Sequence, residues 1–217
     1  MANTISVNRF SVLTGIPEST KGLVRELRVR WALEEMGLPY EEICYPHPET
    51  KKEEYLKKQP FGQVPYFTSG DLCMFESGAI LLHLALKHNK LLPTDEIERA
   101  HTFTWMFAAL NSVESWMFHY FLLKNDPDAS DATKTKAKQL VESRLHAISD
   151  VLGKRDFFGE GFSIAEIIIT TVLKTAQHLK MLGDFENLSR YVERNESRPA
   201  FKRALGEHEK LYIKKTI

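Results

Sequence analysis

Cysteine is scarce in this sequence. Among 217 residues there are two, Cys44 and Cys73. They form neither a CxxC pair nor a recurring metal-ligand spacing, so the sequence predicts no metal site. We interpret both as reduced, half-buried strand residues of a cytosolic protein.

An excess of charge of either sign is also absent. Lys plus Arg and Asp plus Glu number 29 each, so the formal net charge is zero. Because a nucleic-acid-binding surface would need a basic excess, no nucleic-acid partner is expected.

Long hydrophobic segments are missing as well. No apolar run approaches the roughly 18 residues of a membrane-spanning helix. The first ten residues lack the basic region and apolar core of a signal peptide. The content of 43% hydrophobic and 27% charged residues is ordinary for a globular protein. We therefore expect a cytoplasmic protein without a membrane partner, of one large or two small domains.

The most informative stretch is residues 59–86. Two short apolar runs flank the turn signal at 68–71, which predicts a β-hairpin. The first run opens with Val64–Pro65, and proline, which has no N–H, fits only at the start or edge of a strand. We expect this bond to be cis. The N–H and C=O of Val64 would then be available to a peptide-like ligand that pairs as an added strand.

A helix is predicted directly after the hairpin, over Ala79–His88, and Glu76 and Ser77 precede it. Ser77 is a favoured N-cap residue, and a helix N-terminus attracts anions, whereas Glu76 attracts a cation. The pair would suit a free amino-acid group, with its carboxylate on Ser77 and its ammonium near Glu76. The alternative is an ordinary N-cap with an acidic first turn, as on many helices.

The first ninety residues predict a thioredoxin-like α/β domain with the order βαβαββα, a small mixed sheet with helices packed on it. Its predicted elements are the strand Ile5–Leu13, a helix from Leu23 that Gly37 ends, the strand Tyr40–Tyr45, the short helix Lys51–Lys58, the hairpin and the helix Ala79–His88.

The rest of the sequence predicts an all-α helical domain. Aromatic residues recur on more than one face of a helix over Glu96–Leu123, which indicates a cleft or subunit contact besides the core. The run Ser163–Glu166 predicts a capping box, in which both side chains accept backbone N–H bonds at the start of a buried helix. The expected domain boundaries are 1–88 for the thioredoxin-like domain, 89–97 for a linker and 98–217 for the helical domain.

Three motifs resemble those of the glutathione S-transferase superfamily. Pro60–Pro65, a hairpin and then Glu76–Ile80 resemble its glutathione-binding core. Gly159–Glu166 resembles the capping motif of its helical domain, with Glu166 where the family usually has Asp. Arg198–Phe201 resembles its late helical signature, so the resemblance extends over essentially the whole chain.

The resemblance implies a function. A member of this superfamily would conjugate the thiolate of glutathione, as co-substrate and without another cofactor, to a small electrophile in detoxification. It would also form a homodimer. The alternative is a non-catalytic protein of the same fold that binds glutathione or another ligand.

The resemblance also implies which residues bind glutathione. Val64 would pair its backbone with the cysteinyl part, and Pro65 would be cis. Glu76 and Ser77 would hold the γ-glutamyl head, and Gln63 would reach toward the glycyl end. Other candidates for the glycyl carboxylate are Lys51, Lys52 and His47.

The group that stabilises the thiolate is not predicted at the family's usual position. That position falls near Gly22–Leu23, which has no hydroxyl. Within the preceding loop we expect Ser19 to donate to the sulfur, with Thr20 second. Other candidates are Arg25, Arg28 and the backbone amides of this loop. The electrophile is expected between the loop around Ile16 and an aromatic face near Trp116.

Overall fold

The computed structural model describes the backbone of residues 7–209 and 212–213 and the side chains of residues 7–206. Ile5 and Ser6, at the start of the predicted first strand, lie outside the described residues. Within this part of the chain, no helix is both long enough and apolar enough to cross a membrane.

The strands and α-helices of the described residues have the following bounds. The strands are β1 Asn8–Thr14, β2 Ile16–Pro17, β3 Tyr40–Pro46, β4 Tyr66–Ser69, β5 Leu72–Phe75 and β6 Tyr212–Ile213. The α-helices are α1 Glu26–Met36, α2 Glu53–Leu56, α3 Ser77–His88, α4 Glu96–Phe107, α5 Ser115–Asn125, α6 Asp131–Leu152, α7 Ile164–His178, α8 Glu186–Glu196 and α9 Pro199–Glu209.

The chain forms two compact units, and the first is built on a mixed sheet with the strand order β3–β1–β4–β5. β1 pairs in parallel with β3, where Asn8 is opposite Tyr40, and antiparallel with β4, where Phe10 is opposite Phe67. β4 and β5 form the predicted hairpin. With α1, α2 and α3 after β1, β3 and β5, this is the βαβαββα order, and the thioredoxin-like prediction is confirmed.

The first unit also contains α9, which packs on α1. The rings of Trp31 and Phe201 meet edge-on with centroids 4.8 Å apart. Arg198 binds both carboxylate oxygens of Glu35, at 2.6 and 2.9 Å. The expectation placed all of 98–217 in the helical domain. Arg198 and Glu35 are 163 positions apart, and a local sequence pattern does not register such a contact. The boundaries at 88 and 97 stay a prediction.

A short parallel pairing joins β2 to β6, with Ile16 opposite Tyr212 and Pro17 opposite Ile213. The prediction that the chain is helical throughout its second half was therefore wrong for this segment. Two residues are too few to show the alternation by which a strand is recognised in a sequence.

The second unit, Leu91–Ser197, consists of α4 to α8. Residues 164–173, at the start of α7, are all buried, in agreement with their apolar character on nearly every face. A π-helical segment, Ala108–Glu114, separates α4 from α5. The single helix predicted over Glu96–Leu123 is therefore interrupted.

The predicted capping box at the start of α7 forms only in part. The Oγ of Ser163 accepts a bond from the N–H of Ala165 at 3.2 Å, as an N-cap does. The Glu166 carboxylate instead accepts from the N–H of Phe158, at 2.9 Å, and from the Tyr191 hydroxyl. Burial raises the pKa of Glu166 from 4.5 to about 7.

Cys44 and Cys73 are both free thiols, on β3 and β5 respectively. Both are exposed, so the predicted half-buried state was wrong. The reason is topological, since β3 and β5 are the two edge strands of the sheet.

Candidate functional site

The β4–β5 hairpin brings the two parts of the predicted site to one end of the sheet. Tyr66 is opposite Phe75 in the antiparallel register. The Val64–Pro65 peptide, just before β4, therefore lies beside Glu76–Ser77, just after β5. The Val64–Pro65 bond is cis, as predicted.

The loop that leads into Val64 is held by two side chains. Gln59, which is 2% exposed, accepts through Oε1 from the N–H of Phe61 at 2.8 Å and of Gln63 at 3.1 Å. Lys51 donates from Nζ to the Gly62 carbonyl at 2.7 Å. Gly62 has a φ of 61°, and a Cβ there would lie 2.9 Å from Lys51 Nζ. A side chain at position 62 would therefore strain the backbone and displace the lysine.

Under this loop, hydrogen bonds connect both sides of the Val64–Pro65 peptide. The N–H of Tyr66 donates to Ser11 Oγ at 2.9 Å, and the hydroxyls of Ser11 and Tyr55 are 2.9 Å apart. The Tyr55 hydroxyl donates to the Gln63 carbonyl at 2.6 Å. Burial raises the pKa of Tyr55 to about 12, so this hydroxyl is protonated at neutral pH.

The side chain of Gln63 is exposed, and Arg25 Nη1 lies 3.4 Å from its Oε1. Arg25 immediately precedes α1. Of the other candidates for the glycyl end, Lys51 is engaged by the Gly62 carbonyl, and Lys52 pairs with Glu49 at 2.7 Å.

Ser77 is the first residue of α3, and Glu76 takes the N-cap position without a capping bond from its side chain. The N-cap role predicted for Ser77 was therefore wrong. Its Oγ accepts a bond from Arg28 Nη1 at 3.2 Å, and Ser77 and Arg28 are 4% and 3% exposed. Since Arg28 already donates to this oxygen, the Ser77 hydroxyl is left to donate.

The backbone of Glu76 has φ 70° and ψ 112°. Non-glycine residues rarely adopt this conformation, and such residues are concentrated at functional sites. It turns the chain from β5 directly into α3, so that Ser77 begins the helix at the end of the hairpin.

Ser19 and Thr20 lie in a 3₁₀ turn, Glu18–Thr20, between β2 and α1. Ser19 is exposed. Thr20 Oγ1 donates to the carbonyl of Pro17 at 2.6 Å, a contact that stabilises the turn. Their proposed contact with a thiolate stays a prediction.

The two residues predicted to line the electrophile pocket belong to different units. Ile16 is a half-buried residue of β2 in the first unit. Trp116 belongs to α5 in the second unit, is 37% exposed and lies edge-on to His119, with ring centroids 5.9 Å apart. Their position in one pocket stays a prediction.

The sequence analysis missed the polar residues that support the site from inside. These are Ser11, Tyr55, Gln59 and, as the partner of Ser77, Arg28. Ser11 carried a weak signal, since it interrupts the apolar strand residues Phe10 and Val12. The other residues gave none. Arg28 is 49 positions from Ser77, and the loop partners of Tyr55 and Gln59 are backbone groups, which no residue type marks.

Comparison with known proteins agrees with this architecture. A model described as the glutathione S-transferase N-terminal domain matches residues 21–86. An uncharacterised GST-like protein of Streptococcus mutans is 29% identical over 145 residues, which are 61% of this chain and 54% of that protein. The match thus spans about half of the relative's length. A stringent starvation protein A homolog of Pasteurella multocida is 25% identical over 211 residues, 94% of each chain.

A similar fold is found in a solved structure. A glutathione transferase family member from Pseudomonas fluorescens, crystallised with two glutathione molecules bound, superimposes with a TM-score of 0.80. It covers 94% of each chain at 23% sequence identity.

Proposed function

Because this chain is a member of the glutathione S-transferase superfamily, we propose that it binds glutathione at the end of the β4–β5 hairpin and transfers its thiolate to a small electrophile. Reactions of this class detoxify reactive compounds. We place the activity in the cytoplasm, where the exposed thiols of Cys44 and Cys73 would stay reduced.

The hairpin register is the observation that carries the proposal. It sets the backbone of Val64, which can pair with a peptide, beside Glu76–Ser77, which suits an amino-acid head. Glutathione has both features, since its cysteinyl residue is flanked by amide bonds and its γ-glutamyl end is a free amino acid. Val64 would bind the cysteinyl backbone as an added strand would.

The γ-glutamyl head would bind at the start of α3. The Ser77 hydroxyl and the N-terminal amides of the helix would donate to its carboxylate, and Glu76 would accept from its ammonium. Arg28 sits behind Ser77 at 3.2 Å and adds positive charge on the carboxylate side. The glycyl carboxylate would lie near Gln63, where Arg25 supplies a second positive charge.

The thiolate needs a donor beside the sulfur. Ser19 is our first candidate, because Thr20 already donates to the Pro17 carbonyl. Arg25 is the main alternative, since its hydrogen bond to Gln63 places it next to the residue before Val64. In the reaction the bound thiol loses its proton to solvent. Its sulfur then forms a bond to an electrophilic carbon, and the leaving group departs with the bonding electron pair.

A non-catalytic binding role is the second candidate. It is favoured by the absence of a hydroxyl at Gly22–Leu23 and by the exposed position of Ser19. A relative that matches along 94% of its length is named for stringent starvation rather than for transferase activity. The same glutathione contacts would serve either role.

We further propose that the chain forms a homodimer. Phe118, Phe121 and Leu122 are 52%, 41% and 51% exposed, and they are neighbours on α5 at helical spacing. An apolar helix face of this kind typically marks a protein–protein contact. We propose a second copy of this chain as the partner that covers this face, because members of the superfamily are typically dimeric.

The proposed function is tested by calorimetry with glutathione together with a conjugation assay over a panel of electrophiles, including aryl halides, activated alkenes and organic peroxides. Binding with turnover is the expected result. Binding without turnover would establish the second candidate instead. If the protein neither binds glutathione nor turns over any electrophile, both glutathione-dependent roles are excluded.

A further inference from the structure

We infer that Tyr55 is a positioning residue that orients the Gln63–Val64 peptide so that the Val64 amide faces bound glutathione. This inference rests on the proposed glutathione site. Tyr55 is 3% exposed and has no part in the contacts assigned above to the ligand. It would therefore act on the ligand only through the backbone.

The hydrogen bonds under the loop have a fixed direction. The N–H of Tyr66 can only donate, so Ser11 Oγ accepts from it. The Gln63 carbonyl can only accept, so the single hydroxyl proton of Tyr55 is used there. Ser11 must then donate its own proton to the Tyr55 oxygen, 2.9 Å away. A backbone group at each end of this series of three hydrogen bonds, the Tyr66 N–H and the Gln63 carbonyl, therefore determines the direction of all three.

This direction determines where the Val64 amide points. The Gln63–Val64 peptide is trans, so the Gln63 carbonyl and the Val64 N–H lie in one plane and point in opposite directions. The Tyr55 hydroxyl holds the Gln63 carbonyl at 2.6 Å and directs it toward a cluster of three rings, those of Tyr45, Tyr55 and Tyr66. The N–H of Val64 is consequently directed away from that cluster.

The flanking backbone groups are satisfied by protein, whereas those of Val64 are not. The N–H of Gln63 is bound by Gln59, and the N–H of Tyr66 by Ser11. Among the described residues, none hydrogen-bonds to the N–H or the C=O of Val64. Paired neighbours on both sides of an unpaired residue are what a backbone-pairing ligand site requires.

The Tyr55 ring is held independently of its hydroxyl. It packs edge-on against Tyr45 and Tyr66, with centroid distances of 4.8 and 5.4 Å. Replacement by phenylalanine should therefore keep the ring in place and remove only the contact with the Gln63 carbonyl. Without this contact the peptide can rotate, and the ligand must fix it on binding.

Tyr66→Phe is a matched control. The Tyr66 hydroxyl belongs to the same cluster, but its partner is the Tyr45 hydroxyl, 2.9 Å away, and not the loop. Both variants thus remove one hydroxyl from the same group of rings. Only Tyr55→Phe releases the carbonyl next to Val64.

The test combines calorimetry with glutathione and backbone NMR of the ligand-free protein. Tyr55→Phe should weaken glutathione binding about tenfold, the usual loss for one hydrogen bond, while Tyr66→Phe should leave it unchanged. In the free protein, Tyr55→Phe alone should shift the Gln63 carbonyl carbon and the Val64 amide resonances, which a general loss of stability would not single out.

Equal affinities of Tyr55→Phe and the parent protein, or equal losses in both variants, would overturn the role of Tyr55 while leaving the glutathione site intact. If the parent protein itself does not bind glutathione, the proposed function fails and this inference fails with it.

Discussion

At the scale of single residues, the binding groups of the candidate site are supported by buried polar atoms. Ser77 presents its hydroxyl because Arg28 holds it from behind, and Gln63 presents its side chain because Gln59 fixes its backbone. Each supporting group is 2–3% exposed. Loss of a buried partner of this kind leaves the other group unsatisfied, which costs about 1–3 kcal/mol.

The role of Ser77 is tested by Ser77→Ala. The substitution removes the hydroxyl proposed to donate to the γ-glutamyl carboxylate, so glutathione affinity should fall by about 1–3 kcal/mol in calorimetry. Ser143→Ala is the control, since Ser143 is an exposed serine of α6 whose hydroxyl donates to the Leu140 carbonyl in its own helix. An unchanged affinity of Ser77→Ala would remove Ser77 from the site.

The thiolate donor is tested by comparing Ser19→Ala with Arg25→Gln. If Ser19 donates to the sulfur, Ser19→Ala should lower the rate at saturating glutathione by about 10²–10³. It should also raise the pKa of the bound thiol and leave glutathione affinity nearly intact. If Ser19→Ala keeps full activity and Arg25→Gln does not, the role passes to Arg25, which is placed beside Gln63.

At the scale of elements, sequence patterns predicted what depends on neighbours along the chain. Turn residues at 68–71 located the hairpin, and Gly37 ended α1 with a φ of 66°. Contacts between distant residues were not predictable. Charges on a helix usually indicate a solvent face, yet Glu26, Arg28 and Arg30 of α1 are all buried. Arg28 binds Ser77, which is 49 positions away, and Arg30 pairs with Glu42 of β3.

The same distinction applies to the site. The proximity of Val64–Pro65 and Glu76–Ser77 was predictable from the sequence, because the hairpin between them is short. The hydrogen bond from Tyr55 to Gln63 was not predictable, because the local sequence of a short charged helix does not indicate which group its tyrosine will bind. The N-cap assignment of Ser77 failed because the unusual backbone conformation of Glu76 starts the helix one residue earlier, at Ser77 itself.

The start of α7 gives a prediction about pH. Glu166 has a pKa of about 7 in the folded protein and 4.5 as the ordinary value, because it is buried. The folded state therefore keeps a proton that the unfolded state loses, and stability should fall as pH rises from about 4.5 through 7. The full effect is roughly 3 kcal/mol.

Glu166→Gln should remove this decline, since an amide cannot ionise and can still accept from the Phe158 N–H. Denaturant unfolding at pH 5 and pH 8 measures the difference. Glu160→Gln, an exposed acid in the preceding loop, makes the same charge change and should keep the parent's pH dependence. A parent protein that is equally stable at both pH values would contradict the argument.

At the scale of the whole molecule, each unit has its own core and its own part in the proposal. The first unit contains every residue assigned to glutathione, together with α9, which packs on α1. The second contains the exposed aromatic face of α5. Ligand binding and assembly can therefore be tested by substitutions in separate units.

Assembly is tested by sedimentation equilibrium. The parent protein should have twice the 25.0 kDa mass of one chain. Phe118→Asp puts a charge on the exposed face of α5 and should shift the mass to that of one chain, because burial of an unpaired charge opposes association. Val151→Asp, at an exposed apolar position of α6, should remain dimeric. A parent protein of 25.0 kDa at micromolar concentration would exclude the dimer.

The two thiols lie on opposite edges of the sheet, so a disulfide between them would report transient unfolding of the sheet. Three strand spacings separate β3 from β5, about 14 Å, whereas two sulfurs bond only when their Cβ atoms are about 4 Å apart. A Cys44–Cys73 crosslink cannot form while the sheet is intact. Under a mild oxidant, the fraction of crosslinked chains would accumulate with each excursion that separates β1 from its neighbours. Electrophoresis without reductant would measure this crosslinked fraction, and with it the frequency of transient unfolding under conditions where the protein is nearly always folded.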